Sequence, residues 1–160
     1  MTPRSSRRAV VVLGSNIEPR RWVPWAIGRL RTRFRDVLVS PVYRASAVGP
    51  PGQPWFLNAV VVFGTDLPLP ALRAALRHLE ALAGRERSAD LFAPRTLDLD
   101  VVALTGPEGD EHLDPSETDV AHVVVPWADV EPERRLRPGG RTLAERAAPL
   151  REKLTVVEVS

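Results

Sequence analysis

Pro94-Arg95-Thr96-Leu97-Asp98-Leu99-Asp100 sets two carboxylates at alternate positions of a strand-like run, with an arginine three residues ahead of the first. Side chains at i and i+2 of a strand leave from one face, so Asp98 and Asp100 point the same way, roughly 6 to 7 Å apart. Like charges so placed repel and push one carboxyl toward its neutral form unless a cation lies beside them. Magnesium meets that need, because it is a hard ion usually held by one or two carboxylates while substrate phosphates complete its octahedron. The competing reading of this heptapeptide is two solvated aspartates on an exposed strand face.

Ten residues upstream, Gly84-Arg85-Glu86-Arg87 closes an apolar-periodic segment, which allows Arg85, Arg87 and Arg95 to converge on the strand that carries the aspartates. Guanidinium forks match phosphate oxygens with paired, charge-assisted hydrogen bonds that an ammonium group cannot copy. Arginines beside a twin carboxylate therefore point to a polyphosphate-metal site. Neither half does so alone.

Such a site needs a fold to hold it, and the composition limits the choices. A chain of 160 residues is one ordinary domain, able to bury about two thirds of its unfolded surface. There is no cysteine, which excludes a disulfide framework, a thiolate nucleophile and a cysteine-based zinc site. The longest apolar runs, 9–13 and 59–63, fall far short of the roughly 20 residues of a membrane helix. The arginines of 1–8 precede a short strand rather than the apolar core of a signal peptide. A cytoplasmic protein with no membrane partner is expected.

The pI near 9.9 and the formal net charge of +2 agree once Lys153 is seen to be the only lysine, so that little titrates between neutral pH and about 10. Apart from Arg20-Arg21-Trp22, the basic residues lack interleaved aromatics, so no nucleic-acid partner is expected. His78 and His112 are expected at the surface.

Along the chain, strands and helices alternate. Residues 9–13 form a continuous apolar run ending at Gly14-Ser15-Asn16, a buried strand entering a turn. A helix over 22–34 carries Val23, Ala26, Ile27, Leu30 and Phe34 on its inner stripe, with Pro24 tolerated in its first turn. Strands are expected over 37–43 and 56–63, separated by a Gly-Pro loop over 48–54. The second helix has Pro70 near its first position, Leu72, Leu76, Leu79 and Ala83 on one face, and Gly84 where a left-handed cap would end it. A strand over 97–104 follows, then an acidic loop over 106–118, a segment over 121–125, a short helix near 127–130, a helix around 143–150 and a last strand over 154–159. The order βαββαβ is that of a ferredoxin-like α+β sandwich, with helices on one face of a largely antiparallel sheet and a C-terminal extension. The other face must then be covered or used.

Four blocks stand in order: Leu13-Gly14-Ser15-Asn16; Ser40-Pro41-Val42-Tyr43 leading to Gly49-Pro50 and Phe56-Leu57-Asn58-Ala59; Leu82-Ala83-Gly84-Arg85-Glu86-Arg87; and the Pro94 to Asp100 run. They resemble the hydroxymethyldihydropterin pyrophosphokinase family of folate biosynthesis. Together they span 10–104, with a weaker continuation through 123–132. The basic stretch over 1–8 is expected to be a disordered terminus, and the resemblance implies a single pyrophosphokinase-like domain over 9–160. It implies a Mg-ATP-dependent transferase that moves the β,γ-diphosphate of ATP to the hydroxymethyl group of a reduced pterin and releases AMP; a monomer or weak homodimer is expected. By the same resemblance Asp98 and Asp100 hold two magnesium ions, and Arg85, Arg87 and Arg95 neutralise the phosphates. Arg85 and Arg95 are counted with the aspartates as catalytic, and Leu99 and Val101 belong to the ATP site. Phe56 stacks on the pterin, Asn58 bonds its edge, and Ala45, Ser46, Val48 and His122 line the rest of the pocket.

Several positions depart from that family. Its Arg-Trp before Gly-Pro-Arg reads Leu91-Phe92-Ala93, its Pro-His pair reads Leu113-Asp114 in an acidic stretch, and its Arg-x-Phe reads Val120-Ala121-His122. Each lost transition-state contact to phosphate costs about 2 to 4 kcal/mol, roughly 30-fold to 1000-fold in rate. A histidine at 122 keeps a flat ring and, to the extent that it is cationic, favours an acidic or electron-rich ligand. Three readings stand at this point: a pterin diphosphokinase with an altered loop, the same chemistry on another hydroxymethyl compound of specialised metabolism, and a nucleotide-binding relative with little turnover. The retained charges argue against the last, because clustered charges are costly to bury without use.

Overall fold

The computed structural model describes residues 6–45, 55–84 and 96–159. The elements in order are β1 (Arg7–Ser15), α1 (Pro19–Arg33), β2 (Arg35–Val39), β3 (Val42–Ala45), β4 (Phe56–Thr65), α2 (Leu69–Leu82), β5 (Asp98–Gly106), β6 (Gly109–Leu113), α3 (Ala121–Val130), α4 (Leu143–Ala147) and β7 (Thr155–Val157). Single 3₁₀ segments occupy Pro115–Glu117 and Ala148–Lys153. The strands form one seven-stranded sheet in the order β6-β5-β1-β4-β3-β7, with β2 also on β4. Every pairing is antiparallel. The inner order β5-β1-β4-β2/β3 is what a βαββαβ unit produces, so the α+β expectation holds.

Alternation along β1 and β4 explains why both lie at the centre. Ala9, Val11, Leu13, Ala59, Val61 and Phe63 face α1 and α2, while Val10, Val12, Val60 and Val62 face the opposite layer with Trp127, Val123 and Leu143. Both faces of the sheet are thus covered. The second layer is α3, a single helix where a segment and a short helix were expected, joined by α4. α4 starts with a reciprocal cap in which the Thr142 hydroxyl accepts from the Glu145 amide and the Glu145 carboxylate accepts from the Thr142 amide. The apolar run Val123-Val124-Val125 is buried all round, so helical periodicity could not announce α3.

Other boundaries differ for local reasons. The strand expected over 37–43 is two strands, because Ser40-Pro41 interrupts the ladder and the Ser40 hydroxyl accepts from the Val60 amide instead. Pro19 takes the first position of α1, and Pro24 lies inside the helix rather than in its first turn. The acidic stretch expected as a loop contains β6, turned by Gly109 at φ +120°. Its charge is partly offset at range, since Glu111 pairs with Arg7 at 2.9 Å and Asp110 with Arg134 at 3.5 Å. The N-terminal boundary drawn at residue 8 falls within β1: Arg7 and Arg8 pair with Thr65 and Gly64.

The β1–β5 register shifts between Val10, opposite Ala103, and Val11, opposite Val101. Val102 is therefore an extra residue, a bulge that reverses side-chain parity. Before it, Leu97, Leu99 and Val101 enter the α1/α2 core; after it Leu104 does so, while Val102 and Ala103 both face α3. Asp98 and Asp100 consequently share the α3-side face of β5, as the i, i+2 spacing requires. No helix among the described residues is long and apolar enough to cross a membrane.

Candidate active site

One transverse row of the sheet gathers the chemistry. Register places Tyr43 opposite Asn58, Asn58 opposite Gly14, and Gly14 opposite Asp98. Directly paired residues share a face, so Asn58 and Asp98 project together from strands two spacings apart, about 10 Å. Between them stands a residue with no side chain. A Cβ at Gly14 would lie 2.9 Å from Asn58 Oδ1 and 3.7 Å from Phe56 Cδ1. Phe56, two residues before Asn58, leans over the same spot, and the three make a shallow floor beside the carboxylates. Asn58 is buried, which holds its amide in place. β3 reaches this floor as well, since Ala45 pairs with Phe56.

On the far side of Asp98 no described strand pairs with the outer edge of β5. β6 pairs with β5 only from Ala103 onward, and beyond it the His112 ring nitrogen meets the Val101 carbonyl at 3.2 Å, so His112 is half-buried rather than a surface residue. The uncovered stretch borders a cavity of about 290 Å³ lined by Asp98, Leu99, Asp100, Val101, Asp114 and Glu117, with Arg73, Arg77 and Glu80 of α2 on the other wall. Glu80, buried, accepts a hydrogen bond from the Leu99 amide at 2.8 Å. That bond ties α2 to β5 between the two aspartates.

The electrostatics follow from this arrangement. Burial, helped by Asp114 and Asp98, pushes the Glu117 carboxyl above its ordinary range. Burial also lowers His122 below the usual histidine value, against the opposing pull of Asp98. Burial thus favours the neutral imidazole over the cationic character expected of His122. Asp114 is occupied locally: its Oδ1 accepts from the Ser116 amide at 3.0 Å and hydroxyl at 2.7 Å.

The structure thus brings Asp98, Leu99, Asp100 and Val101 to one cavity, and Phe56, Asn58 and His122 to the adjoining face. Arg85, Arg87, Arg95, Ser46 and Val48 lie outside the described residues, as does the side chain of Ala45. Arg73, Arg77, Glu80 and Glu117 line the cavity although no motif in the sequence singled them out. The signal was present for α2 alone, as a polar stripe at 73, 77 and 80 on an otherwise apolar-faced helix.

Comparison with known proteins decides the family. The model of the 7,8-dihydro-6-hydroxymethylpterin-pyrophosphokinase family matches residues 10–132. The chain belongs to this pyrophosphokinase family. It is similar to the 2-amino-4-hydroxy-6-hydroxymethyldihydropteridine pyrophosphokinase of Pseudomonas aeruginosa, 37% identical over 150 residues that cover 87% of this chain and 89% of that protein. The protein of the same name from Methylorubrum extorquens is 36% identical over 150 residues, covering 89% and 93%. That from Mycobacterium tuberculosis is 33% identical over 170 aligned positions, covering 86% and 83%. The pyrophosphokinase match includes both β5 aspartates, the Gly14 row and the start of α3.

Proposed function

We propose that the chain transfers the β,γ-diphosphate of ATP to the hydroxymethyl group of 6-hydroxymethyl-7,8-dihydropterin, releasing AMP. The observation that carries this reading is the Asn58–Gly14–Asp98 row, which sets an amide and an aromatic ring beside a bare strand and a carboxylate pair immediately beyond. A flat heterocycle over Gly14 meets Phe56 with its face and Asn58 with its edge, since the amide offers both donor and acceptor. Its hydroxymethyl arm then points toward Asp98. His122 adds a second flat, neutral ring on the side of α3.

The metal expectation fits the donors present. Asp98 and Asp100 offer hard oxygen ligands from one face. Among the described residues no three His, Asp or Glu side chains could hold an ion by themselves, so the remaining ligands come from phosphate and water, the usual state of magnesium. In our reading Asp98 and Asp100 hold two magnesium ions, which when bound screen the phosphate charge that repels an incoming alcohol. Leu99 and Val101 present the strand edge to the nucleotide, and Arg85, Arg87 and Arg95 supply further positive charge to the phosphates.

In the reaction the acceptor oxygen attacks the β-phosphorus in line, forming the new O–P bond as the bridge to the α-phosphate breaks. The bridging oxygen leaves with AMP and the hydroxyl proton is released. Such transfers depend on position and charge more than on covalent help. We read the chain as a monomer or weak homodimer and place the reaction in the cytoplasm with its ATP. Incubation with magnesium, ATP and the hydroxymethyldihydropterin should yield AMP and the pterin diphosphate by chromatography. AMP appearing only with a different alcohol would refute the acceptor, and full turnover by Asp98→Ala would refute the metal assignment.

A further inference from the structure

Arg73 and Arg77 lie one turn apart on the exposed stripe of α2 and line the cavity opposite Asp98, Asp100, Asp114 and Glu117. Residues at i and i+4 of a helix are neighbours, so the two guanidinium groups repel unless something anionic joins them. Glu80, three residues from Arg77, is in reach for an ordinary ion pair along the helix. Its carboxylate is instead turned inward to the Leu99 amide. Among the described residues neither arginine has a hydrogen-bond or ion-pair partner. Two cations therefore line, together with the β5 carboxylates, a cavity of about 290 Å³, at a place where Glu80 ties α2 to β5.

A ligand that satisfies both walls is cationic on the side of β5 and anionic on the side of α2. A metal-bound phosphate chain has that polarity. The acidic wall also directs the ligand: Asp114 repels phosphate and leaves α2 as its favourable side. Guanidinium pairs are well matched to phosphate oxygens. We propose that Arg73 and Arg77 form a second cationic grip on the phosphate chain of the nucleotide, from the wall opposite the carboxylate pair. This rests on the diphosphotransferase reading above and assigns to α2 a share of the phosphate charge.

Isothermal titration of magnesium with a non-hydrolysable ATP analogue tests it in the full-length protein. Arg73→Gln/Arg77→Gln should weaken the analogue at least about tenfold, the loss expected for one or two charge-assisted bonds. Arg73→Lys/Arg77→Lys should recover part of the loss, and raising salt should cost the glutamine variant less affinity than the wild type. Inorganic tripolyphosphate should displace the analogue from the wild type more readily than from the glutamine variant. Both side chains are exposed, so the melting temperature should not move, and the single variants serve if the double variant unfolds. Affinity within twofold of wild type in the glutamine variant overturns the proposal while leaving AMP release by the wild type intact. If the wild type releases no AMP with any acceptor, the catalytic reading fails and the titration still decides the arginines. No binding of the analogue to the wild type overturns both.

Discussion

Glu80 and Leu99 are joined across two elements by a hydrogen bond of 2.8 Å from the strand amide to the helix carboxylate. The bond falls between Asp98 and Asp100 and joins two residues that line the cavity, so it helps to hold α2 against the strand that carries the carboxylate pair. Glu80→Leu removes the acceptor and leaves a buried amide unsatisfied, a cost of about 1 to 3 kcal/mol. A lower melting temperature and a raised KM for ATP are expected, with Glu80→Gln restoring most of both because its amide oxygen still accepts.

Gly14 is required by space rather than by backbone conformation. A methyl group there would stand 2.9 Å from Asn58 Oδ1, closer than packed atoms allow, and Asn58 must turn away. Gly14→Ala should raise KM for the pterin about tenfold, the value of one net hydrogen bond of about 1.4 kcal/mol. Affinity for the nucleotide should be unchanged. Steady-state kinetics with each substrate varied separately reads the difference, and an equal rise in both KM values would contradict the assigned role.

His122→Phe exchanges a neutral imidazole for a larger apolar ring at the start of α3. Aromatic stacking adds about 0.5 to 1.5 kcal/mol beyond area burial, so the variant should bind the pterin a few-fold more tightly in a direct titration. An unchanged dissociation constant would mean that residue 122 does not touch the acceptor.

Glu131 reports on stability away from the site. Burial alone would raise its carboxyl, but the Trp127 indole N–H, Arg134 and Arg8 together hold it below the ordinary 4.5. The indole and Arg134 each donate at 3.0 Å, and Arg8 donates at 3.1 Å. A carboxyl depressed in the folded state binds its proton later than in the unfolded chain, so its contribution is present above pH 4.5 and is lost as pH falls through the folded value. Glu131→Gln should destabilise the protein by about 2 kcal/mol at pH 7, with the gap to wild type shrinking below pH 4.5. Denaturant melts at several pH values measure it.

Much of this site could be read from the chain because strand parity is a local property. Asp98 with Asp100, and Phe56 with Asn58, share faces by spacing alone, and Gly84 ends α2 at φ +77° as its type suggested. What could not be read is long-range. Arg73 and Arg77 look like any solvated helix stripe until β5 is set beside α2, and the acidic run over 106–118 looks like a loop until Arg7 and Arg134 arrive from distant parts of the chain. The neutral state of His122 depends on burial beneath the second layer, which no single segment encodes.

The extra residue at Val102 has a consequence for how this protein can change over time. The acidic end keeps its facing through its own pairing with β1, and the hairpin beyond Ala103 takes its facing from the other side of the bulge, so a change in hairpin length does not turn the aspartates. Scaffold and candidate site thus share one strand, with the reversal of parity at Val102 lying between them.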